Sequence, residues 1–504
     1  MEQKILWKQH AVSTRFTPLS EDISVDVAII GGGITGITMG YLLAKEGKKV
    51  AVLESMRTGC GTTGHSTGNL YALTDEMLHK MEKKFSTQTM QGIAVSRTQA
   101  IFQIEEIIRA FGIQCDFHKR SWFLFSETEE DDQTIEKEYT ACIEAGLNAY
   151  RMNSQFLPFS TSTALRVDHQ AQFNPLMYMN AFASEAARAG CQIYERSKVT
   201  EIEEGEVNVL TTDKGFKVHA QHVVHATHTP KGIMMIQTFL GPYREYALAV
   251  KLKSGSYPEG IFWAFNHPHH HSMRSYTDEN GEQYLLILGE PHKVGQESSN
   301  EACFDKLERY VRERFDVDSV VYRWGAQHYK SADGLPYIGR KYSGSNTYIA
   351  TGFSTDGLVY GTLSAMIITD LILGRKNKWA ELYDPGRHTP LKSAERFIRE
   401  NANVAVQYLK DIVFSPDSEE LSEIGKEEAG TIELDGAKYG VYRDKLGMLH
   451  IVSVVCTHMK CILNWNKAEK SWDCPCHGSR FDYDGKVIEG CAVRNLQTYQ
   501  PGKE

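Results

Sequence analysis

The sequence predicts a Rossmann-like α/β domain with a mixed or antiparallel β domain built onto it, and a small all-β domain at the C-terminus. Three observations predict it. The run "SVDVAIIGGGITGITMGYLLAKEGKKVAVLES" reads as strand, glycine turn, helix, strand and acid. The middle of the chain carries β-rich stretches such as "REYALAVKLKSGSY" and "EQYLLILGE". From about Gly430 the pattern becomes short strands and turns, "GTIELDG", "KYGVYRD", "LHIVSVV" and "SRFDYDGKVIEG". A chain of 504 residues is also too long for one ordinary core, so several domains are expected.

The first unit is the most explicit. Val25 to Ile30 is a largely β-branched run, short enough for a buried parallel strand. Gly31, Gly33 and Gly36 follow as G-x-G-x-x-G. The first glycine makes the tight turn, the second lets a pyrophosphate reach the backbone, and the third lets helix and strand pack closely. A helix closed by Gly47 comes next, and its N-terminus offers free N–H groups and partial positive charge to phosphates. A second strand ends in Glu54, placed to accept hydrogen bonds from ribose hydroxyls and to disfavour a 2′-phosphate. This is a dinucleotide site.

Later segments specify which dinucleotide. "MRTGCGTTGHSTGN" (Met56–Asn69) is a small-residue loop leading to a long helical region, Thr74–Gly112. "HVVHATHTP" (His222–Pro230) and "ADGLPYIGR" (Ala332–Arg340) precede "NTYIATGFSTDGLVYGTLSAMIITDLILG", a strand, glycine-rich turn and apolar helix. Together these resemble the D-amino-acid-oxidase-like flavoproteins, which include glycine, sarcosine and gamma-glutamylputrescine oxidases, over roughly Val25–Gly374. The resemblance implies FAD, its ADP half on Gly31, Gly33, Ile34, Thr35, Gly36 and Glu54. It implies that Thr62, Thr63 and His65 run beside the flavin, that Val199 and Ala226 touch the cofactor, and that the turn with Gly352, Asp356 and Gly357 contacts the ring and ribityl chain. A covalent link through His65 or Cys60 stays open. No second strand–GxGxxG–helix unit is visible, so the expected electron donor is a small organic molecule rather than NAD(P)H.

"NHPHHHSMRS" (Asn266–Ser275) invites a metal reading, but His269, His270 and His271 alternate across a strand and cannot all hold one ion. The alternatives are a substrate pocket and a solvated strand end. For the pocket, the polar candidates are His270, Arg274, Glu290, His292, Lys293 and Gln296, with Arg274 or Lys293 drawing a substrate carboxylate.

After Gly374 the sequence turns polar. Leu391, Ala394, Phe397, Ala402 and Leu409 keep helical spacing, and "SPDSEELSEIGKEEAG" reads as an acidic tether. The expected division is 1–24 as an N-terminal extension, 25–375 as the oxidoreductase, 376–421 as linker and 422–504 as the tail domain.

In the tail, "CTHMKC" (Cys456–Cys461) and "CPCHGSRF" (Cys474–Phe481) present six soft or borderline ligands, where tetrahedral zinc needs four. A mixed Cys/His pair in each of two loops suits a two-iron centre. The boxes resemble the Rieske [2Fe–2S] fold over about Ser422–Glu504. That resemblance implies Cys456 and Cys474 on one iron, His458 and His477 on the other, and a disulfide between Cys461 and Cys476 as in respiratory-type members. Ring-hydroxylating oxygenases lack those two cysteines and carry a catalytic domain after the box, so that class is not expected. Ser479 matches a serine that bonds a cluster sulfur, whereas Phe481 replaces a tyrosine, which predicts a potential below that of the respiratory type. Lys460 stands in place of a common glycine. Cys491, where proline is usual, reads as a spare thiol.

Together the parts predict an FAD- and [2Fe–2S]-dependent oxidoreductase. A small amine or amino acid would lose hydride to the flavin, and electrons would leave singly through the exposed ring edges of His458 or His477 to an acceptor protein or quinone. The alternative is an electron-transfer protein or redox sensor with no small-molecule substrate. A net charge of −9 argues against nucleic acid as partner. No signal-peptide pattern or membrane-spanning run is visible, so the expected location is the cytoplasm.

Overall fold

The computed structural model describes residues 4–9, 15–152, 157–266, 269–297, 299–387, 396–404 and 421–499. Its first body is built on an eight-stranded sheet in which Thr347–Thr351, Lys217–His225, Ile23–Ile30, Val50–Leu53 and Gln192–Tyr194 run parallel in that order. The Ile23–Ile30 strand is central, and Val27 to Ile29 are fully buried, as its β-branched run requires. The helix Ile34–Lys45 follows the glycine turn and packs against the apolar helix Gly357–Ile372. The long helical region resolves into Leu78–Lys84 and Thr87–Phe111, the second closed by Gly112 in the left-handed region.

The second body is a nine-stranded, largely antiparallel sheet. Val317–Ser331, Leu240–Leu252, Gln283–Lys293, His269–Thr277, Ile261–Asn266 and His118–Phe125 follow one another across it. A register shift opposite Arg244–Tyr246 marks a bulge, with Glu290 at φ 57° on the facing strand. Leu6 and Trp7 from the N-terminal extension are fully buried in the core on one side of this sheet. The Trp7 Nε1–H donates to the Ser66 carbonyl at 2.7 Å.

The C-terminal body has a three-stranded sheet, Ala429–Leu434, Ala437–Arg443 and Leu449–Ser453, and a four-stranded sheet running from Asn464 to Glu489. Residues 396–404 are helical and pack on the oxidoreductase through a Glu400–Lys293 ion pair at 2.7 Å and Asn401 Nδ2 donating to the Thr238 carbonyl. The expected helix ends beyond these residues, and most of the acidic tether, lie outside the described residues. No helix among the described residues is long and apolar enough to cross a membrane.

Candidate flavin cavity and cluster loops

The glycine turn shows why small residues are needed there. Gly31 sits at φ 108°, and a Cβ on it would run into the Ala226 carbonyl oxygen; one on Gly36 would run into the Gly31 carbonyl oxygen. One cavity is lined by Gly31, Gly33, Ile34, Thr35, Glu54, Thr62, Thr63, His65, Val199, Ala226 and Gly357. Three other expected contacts are absent from its wall. Gly36 serves the strand–helix approach, Gly352 packs on Leu240 and Ser331, and Asp356 forms a buried ion pair with Arg97 at 3.1 Å. The Glu54 carboxylate accepts the Gly32 and Met56 N–H groups, each at 2.7 Å, and burial raises its pKa. Lys198 and Lys231 line the same end, with Lys231 near enough to act on Glu54. A bare backbone turn at a helix N-terminus, two cations and an acid at the end of the second strand fit an ADP moiety.

The opposite end is made by the antiparallel sheet and the Phe353–Thr355 turn, with Glu245, Leu288, Ala326 and His328 in its wall. Lys330 pairs with Asp75 at 3.0 Å, and the Ser354 hydroxyl also donates to Asp75. Burial works to raise the Asp75 pKa, but Lys330 and Ser354 outweigh it and hold the carboxyl well below the usual range. Burial, then Lys330, lowers the His328 pKa to about 3, so its ring is neutral.

None of His270, Arg274, His292 and Lys293 lines this cavity, which corrects the pocket expectation. Arg274 is sealed under Trp7 and Tyr276 and donates to the Phe173 carbonyl at 3.1 Å. His270 is exposed, its ring against Phe265. Glu290 accepts from His271 at 3.3 Å, His292 reaches the Tyr246 hydroxyl at 3.3 Å, Lys293 is paired with Glu400, and Gln296 Nε2 donates to the Pro475 carbonyl. The physical reason is twofold. The N-terminal extension fills the Arg274 side, and beyond the bulge the strand turns towards the C-terminal body.

The cluster loops bring Cys456, Cys474, His458 and His477 together, all nearly buried. The two rings lie 5.1 Å apart, almost perpendicular, and both Nδ1 atoms are buried without a hydrogen-bond partner among the described residues. Gln237 explains the tautomer. Its Nε2 donates to the Pro230 and Gly232 carbonyls, so Oε1 faces His458 Nε2 at 3.2 Å, which then carries the proton. His458 Nδ1 is left as a bare donor pair beside two thiols, and this set fits an iron centre. Cys461 and Cys476 are joined as a disulfide. Cys474 lies within 4.8 Å of both sulfurs, but these two are already committed to each other and offer no thiolate. Ser479 is buried, its Oγ accepting the Ala492 N–H at 3.1 Å, and Phe481 is wholly buried. Lys460 sits at φ 64°, a conformation that favours glycine.

The histidine edges do not face solvent. His458 is 8% and His477 7% exposed, and both are turned into the oxidoreductase, contrary to the expectation of free ring edges. The Tyr329 hydroxyl donates to the His477 carbonyl at 3.2 Å and Gln327 Nε2 to that of Gly478 at 2.8 Å. Cys491 lies in the same seam, 3.6 Å from Thr229 Oγ1, and its thiol donates to the His477 carbonyl at 3.6 Å. Arg244, buried, pairs with Glu469 and with Glu489 at 3.0 Å, and Arg480 joins the same acids. Residues 487–490, 492 and 493 form part of the wall of the flavin cavity itself.

The FAD dependent oxidoreductase family matches residues 26–371, and the Rieske [2Fe-2S] domain matches residues 416–500. The chain belongs to the FAD-dependent oxidoreductases. YhfW of Bacillus subtilis, named for a Rieske 2Fe-2S iron-sulfur protein, is 31% identical across 97% of this chain and 96% of its own. Glycine oxidase from Geobacillus kaustophilus shares the fold, with a TM-score of 0.59 and 21% identity over 73% of this chain and 99% of its own. The cytochrome b6-f complex iron-sulfur subunit 1 of Nostoc is 49% identical over 45 residues, 9% of this chain and 25% of that subunit. This FAD-dependent oxidoreductase therefore uses two cofactors, FAD and a Rieske-type cluster.

Residue reasoning missed Glu245, Gln237, Tyr329 and the 487–493 wall. Glu245 left one trace, a lone carboxylate in the apolar run "YALAV" and its flank. The others left none, because their partners are more than a hundred residues away.

Proposed function

We propose that this oxidoreductase dehydrogenates a small amine or amino acid at its flavin and passes the electrons singly, through the Rieske cluster, to an acceptor protein or quinone. The shared cavity wall carries the reading: one hollow is lined both by the dinucleotide turn and by residues 487–490, 492 and 493 beside the cluster loops. When bound, FAD supplies a two-electron acceptor and the cluster a one-electron carrier. The chain's residues do the positioning. Gly31, Gly33 and the helix N-terminus hold the phosphates, Glu54 the ribose, and the Thr62–His65 loop with the Phe353–Thr355 turn encloses the ring. Cys456 and Cys474 bind one iron and His458 and His477 the other, with Gln237 fixing the His458 ring.

Packed groups link the two sites. Thr62 Oγ1 lies 3.1 Å from His228 Nδ1, the His228 ring meets Tyr329 edge-on at 4.8 Å, and the Tyr329 hydroxyl reaches the His477 carbonyl. Trp7 over the Ser66 carbonyl and the 487–493 stretch help exclude water. The test is anaerobic mixing with a panel of amines and amino acids, following flavin bleaching and then the reduced-cluster signal. Sequential loss of flavin colour and gain of that signal is expected. Flavin bleaching with no cluster reduction rejects the relay, and no bleaching by any small donor leaves the electron-carrier reading in its place.

A further inference from the structure

We propose that Glu245 is the counter-ion for a cationic amine in the flavin cavity, so that the small donor is an amine without a carboxylate beside the reacting carbon. The proposal rests on the dehydrogenase reading above and narrows it.

Glu245 lies on the Leu240–Leu252 strand, opposite Ala326 and next to the register shift. It is half-buried, lines the cavity, and accepts no hydrogen bond among the described residues. Its strand neighbour Arg244 points the other way, into the seam with Glu469 and Glu489. The charged groups around Glu245 are already engaged. Lys330 is paired with Asp75, and Asp356 with Arg97. His328, in the same wall, is neutral. The two lysines that line the cavity, Lys198 and Lys231, belong to the Glu54 end. A substrate carboxylate placed here would meet a carboxylate and no free cation, whereas an ammonium would complete the set.

Burial, then Asp75, raises the Glu245 pKa to about 7, against the opposing pull of Lys330. A group poised there can also take a proton. The N–H bond of the bound ammonium breaks, its proton moves to a Glu245 oxygen, and the electron pair stays on nitrogen, leaving a neutral amine and a neutral carboxyl.

The test uses the holoprotein and tert-butylamine, an ammonium with no hydrogen on the nitrogen-bearing carbon, with pivalate as its carboxylate counterpart. Binding is read by perturbation of the flavin absorption band and by calorimetry. The wild type is expected to bind tert-butylamine more tightly than pivalate, and Glu245→Gln to lose at least about tenfold in amine affinity while Glu245→Asp keeps the preference. A wild type that prefers pivalate overturns the proposal whatever the variants do, as does unchanged amine binding in Glu245→Gln. If tert-butylamine binds through Glu245 yet no oxidisable donor bleaches the flavin, the dehydrogenase reading fails and Glu245 stands as an amine-binding group alone. If small donors bleach the flavin equally in Glu245→Gln, the reverse holds.

Discussion

The glycine turn at Gly31–Gly36 and the seam between the oxidoreductase and the cluster loops are both buried and both face the flavin cavity, yet they are assembled on different length scales. The turn is one contiguous stretch whose backbone does the work, and Gly31 and Gly36 are each required by a carbonyl oxygen a few residues away or just beyond the adjoining strand. The seam is made of single side chains from distant segments: Gln237, Arg244 and Tyr329 on one side, Glu469, His477 and Glu489 on the other. Damage to a contiguous cradle is therefore local and severe. Damage to the seam separates two intact cofactor sites.

The largest expected effect follows from that difference. Gly36→Ala puts a Cβ against the Gly31 carbonyl oxygen, and it is expected to cost about 4 kcal/mol or more and to empty the FAD site. Flavin content and iron content of the purified variant check it. Iron retained while flavin is lost sharpens the contrast; equal loss of both would break it.

Arg244→Met comes next. It leaves Glu469 and Glu489 with Arg480 alone, and the cost is expected at about 3 kcal/mol of seam stability. Limited proteolysis between the two bodies should accelerate while flavin and iron contents stay level. A third effect is set by pH. Arg244 and Arg480 outweigh burial and lower the Glu489 pKa from 4.5 to about 2. A depressed folded pKa gives stability that is complete above the unfolded value and is lost as pH falls through the folded one. The difference in thermal stability between wild type and Glu489→Gln should be constant near neutrality and shrink from pH 4.5 towards about 2. A difference that grows in acid would contradict the account.

The smallest effect concerns Lys460, which holds φ 64° in the first cluster box. Lys460→Gly relieves the left-handed strain but adds chain entropy to the unfolded state, so a gain of about 1 kcal/mol or less is expected in thermal melts.

Legibility in the sequence tracks the same division of scale. The strand–turn–helix unit, the glycine-rich turn before the last apolar helix and the two cluster boxes are short patterns, and the structure has each element where they predict it; the Cys461–Cys476 disulfide, which the Rieske resemblance implies, is formed as well. The pocket candidates are polar residues of one segment, 270–296. Arg274 is under Trp7, a residue more than two hundred and fifty positions earlier, and Lys293 is spent on Glu400. Likewise the His458 ring looks exposed from its box alone, and only the Pro230–Gln237 segment reveals what covers it. Glu245 gave a faint signal because a carboxylate in an apolar strand is costly unless something uses it.

The central claim is that the flavin and the cluster work as one intramolecular pair across the seam. Anaerobic rapid mixing with a reducing donor, repeated over a wide range of protein concentration, tests it most directly. The account predicts first-order appearance of the reduced-cluster signal after flavin bleaching, with a rate independent of protein concentration and slowed in Arg244→Met. A rate proportional to protein concentration, showing electrons passing between separate molecules, would contradict it.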